Sequence, residues 1–110
     1  MFESDAQNAR VCRALCACVG LRELWTPSGP TDDAMALLAA DGGPLSGGER
    51  TMLLVAWAVW NGDDNARLGD TIHRLDGPGL VVLGQLLVAM ANGGSAIEAW
   101  ITTMESNKRH

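Results

Sequence analysis

A chain of 110 residues is long enough for one domain whose core needs no disulfide or metal support. Apolar residues make up 47% of it and charged residues 19%, a composition that excludes an intrinsically disordered chain. Its net charge of −5 argues against a protein that binds nucleic acid through a basic face.

The first predicted helix extends from about residue 5 to residue 25, because apolar side chains recur there at three- and four-residue steps. Ser4 is placed to cap it, and the sequence Pro27-Ser28-Gly29-Pro30 ends it. A second, short helix is predicted from residue 31 to residue 40, with Thr31 as its N-cap.

Three cysteines lie on the first predicted helix: Cys12, Cys16 and Cys18. An odd, clustered set is a poor disulfide framework, and its spacing is not that of a zinc site. The sequence opens Met-Phe-Glu-Ser-Asp, without the basic and apolar regions of a signal peptide. We therefore expect a cytoplasmic protein in which these cysteines are small core residues with reduced thiols.

A third helix is predicted from about residue 47 to residue 60. From Met52 to Trp60 no side chain is polar, and a helix that is apolar on every face must be buried. Ser46 and Glu49 have the spacing of a capping box, which favours a helix over a strand, and Gly62 supplies a left-handed stop. We expect this helix at the centre of the fold.

A fourth helix is predicted from residue 66 to residue 75. Its apolar face consists of Leu68, Ile72 and Leu75. Its polar face consists of Arg67, Asp70 and Arg74. This polar face is the basis of one functional alternative, a DNA-associated regulator in which the two arginines contact phosphate and the third and fourth helices act as a helix-turn-helix.

A fifth helix, from about residue 79 to residue 92, is again nearly all apolar, so we expect it to be the second central helix. A sixth begins at a second capping-box pattern, Ser95 to Glu98, and residues 105–110 form a frayed tail. The sequence therefore predicts an all-α fold: a single domain over residues 1–110, folded as a compact bundle of five to six short helices.

The sequence Leu45-Ser46-Gly47-Gly48-Glu49 resembles the signature motif of ABC ATPases, in which such backbone amides and a hydroxyl bind a nucleotide γ-phosphate. The Walker A sequence of those proteins is absent, and 110 residues cannot hold an ABC domain. We therefore interpret the motif as a turn followed by a capping box, and we predict no nucleotide, metal or other cofactor.

A wider resemblance combines Ser46-x-Gly48-Glu49, Trp60-Asn61-Gly62 and Leu75-Asp76. The pattern is similar to that of short all-α proteins from bacteria and their phages. It covers the middle third of the chain and consists mainly of capping and core residues. The resemblance implies a small cytoplasmic accessory protein, with a phage genome as one source.

Four tryptophans stand out beside one phenylalanine and no tyrosine. Large aromatic side chains fill cores and also anchor interfaces. We expect Trp57 and Trp100 in the core, and we expect Trp25 and Trp60, at helix ends, to be partly exposed.

The sequence lacks a recognisable catalytic, metal-binding or phosphate-binding set, and it is rich in apolar and tryptophan residues. This combination favours a non-enzymatic helical module, regulatory or inhibitory, that binds another protein or a second copy of itself as a dimer. The predicted contact residues are Trp25, Trp60, Asp63, Asp64, Arg67 and Arg74. We expect no membrane attachment. The third alternative is a small-molecule-binding protein with a pocket lined by Trp57 and Met90.

Overall fold

The computed structural model describes residues 2–62 and 67–107, which fold as six α-helices and one short β-hairpin. The helices are α1 (Asp5–Ala17), α2 (Asp32–Ala39), α3 (Gly47–Asn61), α4 (Leu68–Arg74), α5 (Gly77–Asn92) and α6 (Gly94–Asn107). A 3₁₀ turn at Arg22–Leu24 follows α1, and strands β1 (Trp25–Thr26) and β2 (Gly29–Pro30) pair antiparallel before α2. The prediction of an all-α bundle is confirmed.

Helix α1 ends at Ala17 rather than near Trp25, where the apolar periodicity places its end. Gly20 adopts a φ of 78°, a conformation that strains other residues, and the Leu21 amide donates to the Cys16 carbonyl at 2.9 Å. These features terminate the helix, and the 3₁₀ turn then carries Trp25 into strand β1.

The predicted capping box satisfies backbone groups at the start of α3. The Ser46 hydroxyl accepts from the Glu49 amide at 3.3 Å, and the Glu49 carboxylate accepts from the Ser46 amide at 2.8 Å. The bond from the Ser46 backbone is the main reason that the pKa of Glu49 lies below its ordinary value. At the other end of α3, Gly62 takes the predicted left-handed conformation.

The second predicted capping box does not form at the start of α6. That helix begins at Gly94, so Ser95 lies inside the first turn instead of at the N-cap. The Glu98 carboxylate accepts hydrogen bonds from Arg10 and Gln7 of α1. The predicted capping box is therefore wrong. The Glu98 carboxylate binds side chains of α1 instead of the backbone at the start of its own helix.

The core is centred on α1 and α3, which form the most extensive helix pair among the described residues. The buried residues of α1 are Gln7, Ala9, Val11, Cys12, Ala14, Leu15 and Cys16. The buried residues of α3 are Thr51, Met52, Leu53, Val55 and Ala56. The two backbones approach closely enough for the Cys12 thiol to donate to the Ala56 carbonyl at 3.3 Å. Helix α3 is therefore central, as predicted.

Helix α5 is not the second central helix that its composition predicts. Its buried residues are Gly79, Leu86 and Ala89. By contrast, Val81, Leu87 and Val88 are 57%, 58% and 64% exposed. Because α1 occupies the place beside α3, α5 packs mainly on α6 and has too few neighbours to cover its circumference. None of the helices in the described ranges is long and apolar enough to cross a bilayer.

A polar contact ties the start of α1 to α6. Gln7 is 5% exposed, and its side-chain oxygen accepts from the Glu3 amide at 2.8 Å. Its side-chain nitrogen donates to the Gly94 carbonyl at 3.1 Å and to the Glu98 carboxylate at 3.3 Å. The hydrogen bond from Arg10, followed by that from Gln7, holds the pKa of Glu98 below its ordinary value.

We expect Ser46→Ala to lower the free energy of unfolding by about 1 kcal/mol, because the Glu49 amide loses its acceptor. Ser95→Ala is the matched control, since Ser95 lies within the first turn of α6, and we expect it to stay within about 0.5 kcal/mol of the wild type. Urea denaturation followed by circular dichroism measures both variants. If both variants lost the same free energy of unfolding, the conclusion that Ser46 is an N-cap and Ser95 is not would be contradicted.

Glu98→Gln is expected to destabilise the protein at neutral pH, because the ion pair with Arg10 is lost. The pKa of the native carboxylate lies below its ordinary value of 4.5, so its contribution is complete above that value and disappears as the pH falls through the native pKa. Thermal melts from about pH 7 to about pH 2 should therefore converge for wild type and variant at the acid end. Glu23→Gln, at an exposed position of the 3₁₀ turn, is the control. A difference in melting temperature between wild type and Glu98→Gln that grows as the pH falls would contradict the prediction.

Candidate interaction surface

An apolar groove of about 360 Å³ lies between α3, α4 and α5. Its lining consists of Val55, Ala58, Val59, Gly62, Leu68, Thr71, Leu83, Leu87 and Met90. None of these residues carries a charge, and Thr71 has the one polar side chain among them. A concave apolar site of this kind can take up apolar side chains of a partner or a small ligand.

Exposed leucines line the groove on the walls that α4 and α5 provide. Leu68 of α4 is 73% exposed, and Leu87 of α5 is 58% exposed. Ile72, one turn after Leu68, is 49% exposed. Single apolar side chains on a surface are ordinary, but several of them around an apolar concavity are typical of an interaction site.

Helix α4 turns a different face inward from the one that its sequence predicts. Thr71 and Leu75 are buried, whereas Leu68 and Ile72 are exposed. The Thr71 hydroxyl donates to the Arg67 carbonyl at 2.8 Å, so its polar group is satisfied within the helix and can be buried. The predicted apolar face is therefore buried only at Leu75, and its other members add to the exposed surface.

A second cavity, of about 500 Å³, lies on the other side of α4, toward α2 and the first half of α3. Its lining consists of Leu38, Asp41, Arg50, Thr51, Leu54, Arg67, Asp70 and Thr71. The Arg50 guanidinium donates to the Asp41 carbonyl at 3.0 Å and to the Asp41 carboxylate at 2.6 Å. Among the described residues, two arginines and two aspartates thus line this polar cavity, and the charges of these four side chains balance. Thr71 lines both cavities, so α4 separates them.

The four predicted contact residues that the structure describes, Trp25, Trp60, Arg67 and Arg74, are not among the residues that line the groove. Arg67 is exposed and lines the polar cavity. Arg74 is also exposed, and its guanidinium lies 3.5 Å from where a Cβ on Gly47 would be, at the start of α3. Asp63 and Asp64 lie outside the described residues.

Trp25 is 1% exposed, so the prediction that it is partly exposed is wrong. The β-hairpin carries it beneath Trp60, and the two rings meet edge to face with centroids 6.3 Å apart. Trp60 is partly buried, as predicted, and a Cβ on Gly29 would come within 2.9 Å of its ring. A side chain larger than glycine at residue 29 would displace this ring.

The two other tryptophans, Trp57 and Trp100, differ in how deeply they are buried. Trp100 is buried at 7% exposure, which confirms its predicted place in the core. Trp57 is only partly buried, against the prediction. It is not among the residues that line the groove, whereas Met90 is.

The cysteines have the surroundings of structural residues. Cys12 and Cys16 are buried, Cys18 is exposed, and none forms a disulfide. Burial is the main cause that raises the pKa of the Cys12 thiol, and a thiol kept protonated is a poor nucleophile. The described part of the chain contains no group of three or more His, Cys, Asp or Glu residues that could hold a metal ion.

Apart from Met90, the groove residues are absent from the predicted binding residues, because the two apolar runs indicate helices buried on every side. The sequence nevertheless contains an indication that part of the fifth helix is exposed. Val81, Leu87 and Val88 belong to a helix without an evident polar face, in a chain where the first, third, fourth and sixth predicted helices also carry apolar faces. A small domain cannot enclose all of these faces, and α5 is the helix left partly outside.

No protein-family model, curated protein or solved structure matches this chain. The resemblance of residues 46–76 to short bacterial and phage proteins therefore stays a prediction.

In the native protein, we expect Cys18 to be the one of the three cysteines that reacts readily with a thiol reagent at neutral pH. Cys12 and Cys16 are shielded from the reagent, and the raised pKa of Cys12 leaves little thiolate. Labelling before and after denaturation, with detection by mass spectrometry, measures this difference. Cys18→Ala should abolish the native labelling. Rapid native labelling of Cys12 would contradict its burial.

Proposed function

We propose that this chain is a non-enzymatic helical module that binds another protein by taking an amphipathic helix of that protein into the apolar groove. The observation that carries the proposal is that the described residues lining the groove are all uncharged, together with the exposure of Leu68 and Leu87 on its walls. A module that covers a helix of its partner acts by competition for that helix, which supports a regulatory or inhibitory role.

The form of the groove favours a helix as its occupant. Residues of α4 and α5 provide two walls, and residues of the second half of α3 provide a third surface between them. A partner helix with apolar side chains at three- and four-residue spacing can place them between such walls. The volume of about 360 Å³ lies near the lower end of the range for small-molecule sites, about 300 to 1,000 Å³.

The two leucines set the scale of the binding energy. Complete burial of an exposed leucine contributes about 1.5–3 kcal/mol, so the exposed fractions of Leu68 and Leu87 together offer about 2–4 kcal/mol. The loss of translational and rotational freedom offsets part of this gain. Further contacts from the partner's flanking residues are therefore required for tight binding.

The DNA-associated alternative rests on the exposure of Arg67 and Arg74. Both arginines lie on the side of α4 away from the groove, and Asp70, which also lines the polar cavity, stands between them in sequence. The net charge of −5 opposes approach to a phosphate backbone. We therefore rank this function second.

We expect Leu87→Asp to weaken partner binding by at least about tenfold, because the groove loses an apolar contact and gains a charge that binding would have to desolvate. The immobilised protein is used to retain partners from a lysate of its native host, and a retained protein is then purified and titrated against each variant. Ala99→Asp, at an exposed position of α6, is the matched control with the same introduced charge.

The proposal requires that wild type and Ala99→Asp bind the same purified protein with similar affinity, and that Leu87→Asp binds it at least about tenfold more weakly. It also requires that cross-linking places a helix of the partner against α4 or α5. Equal binding by all three forms would overturn it. Salt-dependent binding to duplex DNA that Arg67→Ala and Arg74→Ala abolish would replace it with the DNA-associated function.

A further inference from the structure

Helix α5 has a second exposed surface beside the groove. The residues at its i, i+3, i+4 and i+7 positions form what we term the outer stripe: Val81, Gly84, Gln85 and Val88. All four are exposed, and the two valines are 57% and 64% exposed. None of the four lines the groove. The outer stripe is therefore a separate and mainly apolar surface.

Gly84 has no role that the single chain explains. A Cβ at this position would meet nothing within 4 Å, and the residue is not among the glycines with positive φ. Glycine in the middle of a helix lowers helix stability relative to alanine. Its advantage is that it allows another backbone to approach closely. The position therefore suits a contact with a second helix.

The charge distribution permits a second copy of the chain to supply that helix at α5. The net charge of −5 makes two copies repel each other over most of their surfaces. Helix α5 carries no charged side chain among its 16 residues, so this repulsion is least where two α5 helices meet. Like copies can approach there without placing carboxylates against each other.

The outer stripe is also self-complementary. Val81 and Val88 lie at equal distances from the midpoint between Gly84 and Gln85. A two-fold axis through that midpoint places each valine against the opposite valine of the other copy. The Gln85 side-chain amide both donates and accepts, so two copies of it can bond to each other across the axis.

We propose that α5 packs antiparallel against α5 of a second copy through the outer stripe, which forms a two-fold dimer. A single helix pair is smaller than a standard interface of about 800 Å² per partner, so the dimer is reversible and depends on concentration. This inference is independent of the partner proposed for the groove.

Sedimentation velocity over about 1 µM to about 1 mM tests the dimer. The wild type should shift from monomer to dimer and no further, because a two-fold interface is closed. Gly84→Glu should remain a monomer at concentrations where the wild type is mostly dimer, since it brings two carboxylates to the axis. Ala99→Glu on α6 introduces the same charge at another exposed helical position and should dimerise like the wild type.

Folding does not limit this test. The space around Gly84 is open and glutamate is the better helix former, so Gly84→Glu should melt at or above the wild-type temperature. A wild type that stays monomeric, that assembles beyond a dimer, or that dimerises equally well as Gly84→Glu would overturn the proposal.

Cross-linking in a Cys18→Ala background tests the antiparallel arrangement. A short bismaleimide should join Gln85→Cys to its own copy, because the two positions are close to the axis. It should fail to join Val81→Cys, because the two copies of that position lie about 10 Å apart along the helix direction. Efficient cross-linking at residue 81 or its absence at residue 85 would overturn the arrangement.

Discussion

The close packing of α1 on α3 is the constraint on which the rest of the structure depends. Ala9, Cys12 and Cys16 are fully buried on α1, and their small side chains let the two backbones come near enough for a thiol to bond a main-chain carbonyl of Ala56. A pair of helices this close leaves room at the centre for little else. The other helices must therefore pack around the pair, each with only part of its surface covered.

Helix α5 shows what this arrangement does to an apolar sequence. Its face with Leu86 and Ala89 is buried, its face with Leu83 and Leu87 lines the groove, and its remaining face carries Val81 and Val88. A helix that met only water on two of these faces would ordinarily carry charges there. The uncharged surface of α5 is the feature that links both proposed modes of binding, one through the groove and the other through the outer stripe.

Features that depend on neighbouring residues could be predicted from the sequence, and features that depend on distant ones could not. Ser46 and Gly62 act as caps in the predicted way because their partners lie within the same turn of the chain. Trp25 is buried because a hairpin brings it beneath a ring far along the sequence, and Glu98 leaves its predicted cap for Arg10 on α1. The groove belongs to the second group, since α3, α4 and α5 must pack before Leu68 and Leu87 line the same concavity.

Because Thr71 lines both cavities, α4 is the wall that separates them, and the shape of each cavity depends on where this helix lies. This helix is one of the shortest in the chain, and its first turn has no side-chain cap at Arg67. A displacement of α4 would therefore change the shape of both cavities at once. If each cavity takes a ligand and one ligand displaces α4, the affinity for the other ligand would change, and thermodynamic linkage requires this effect to be reciprocal.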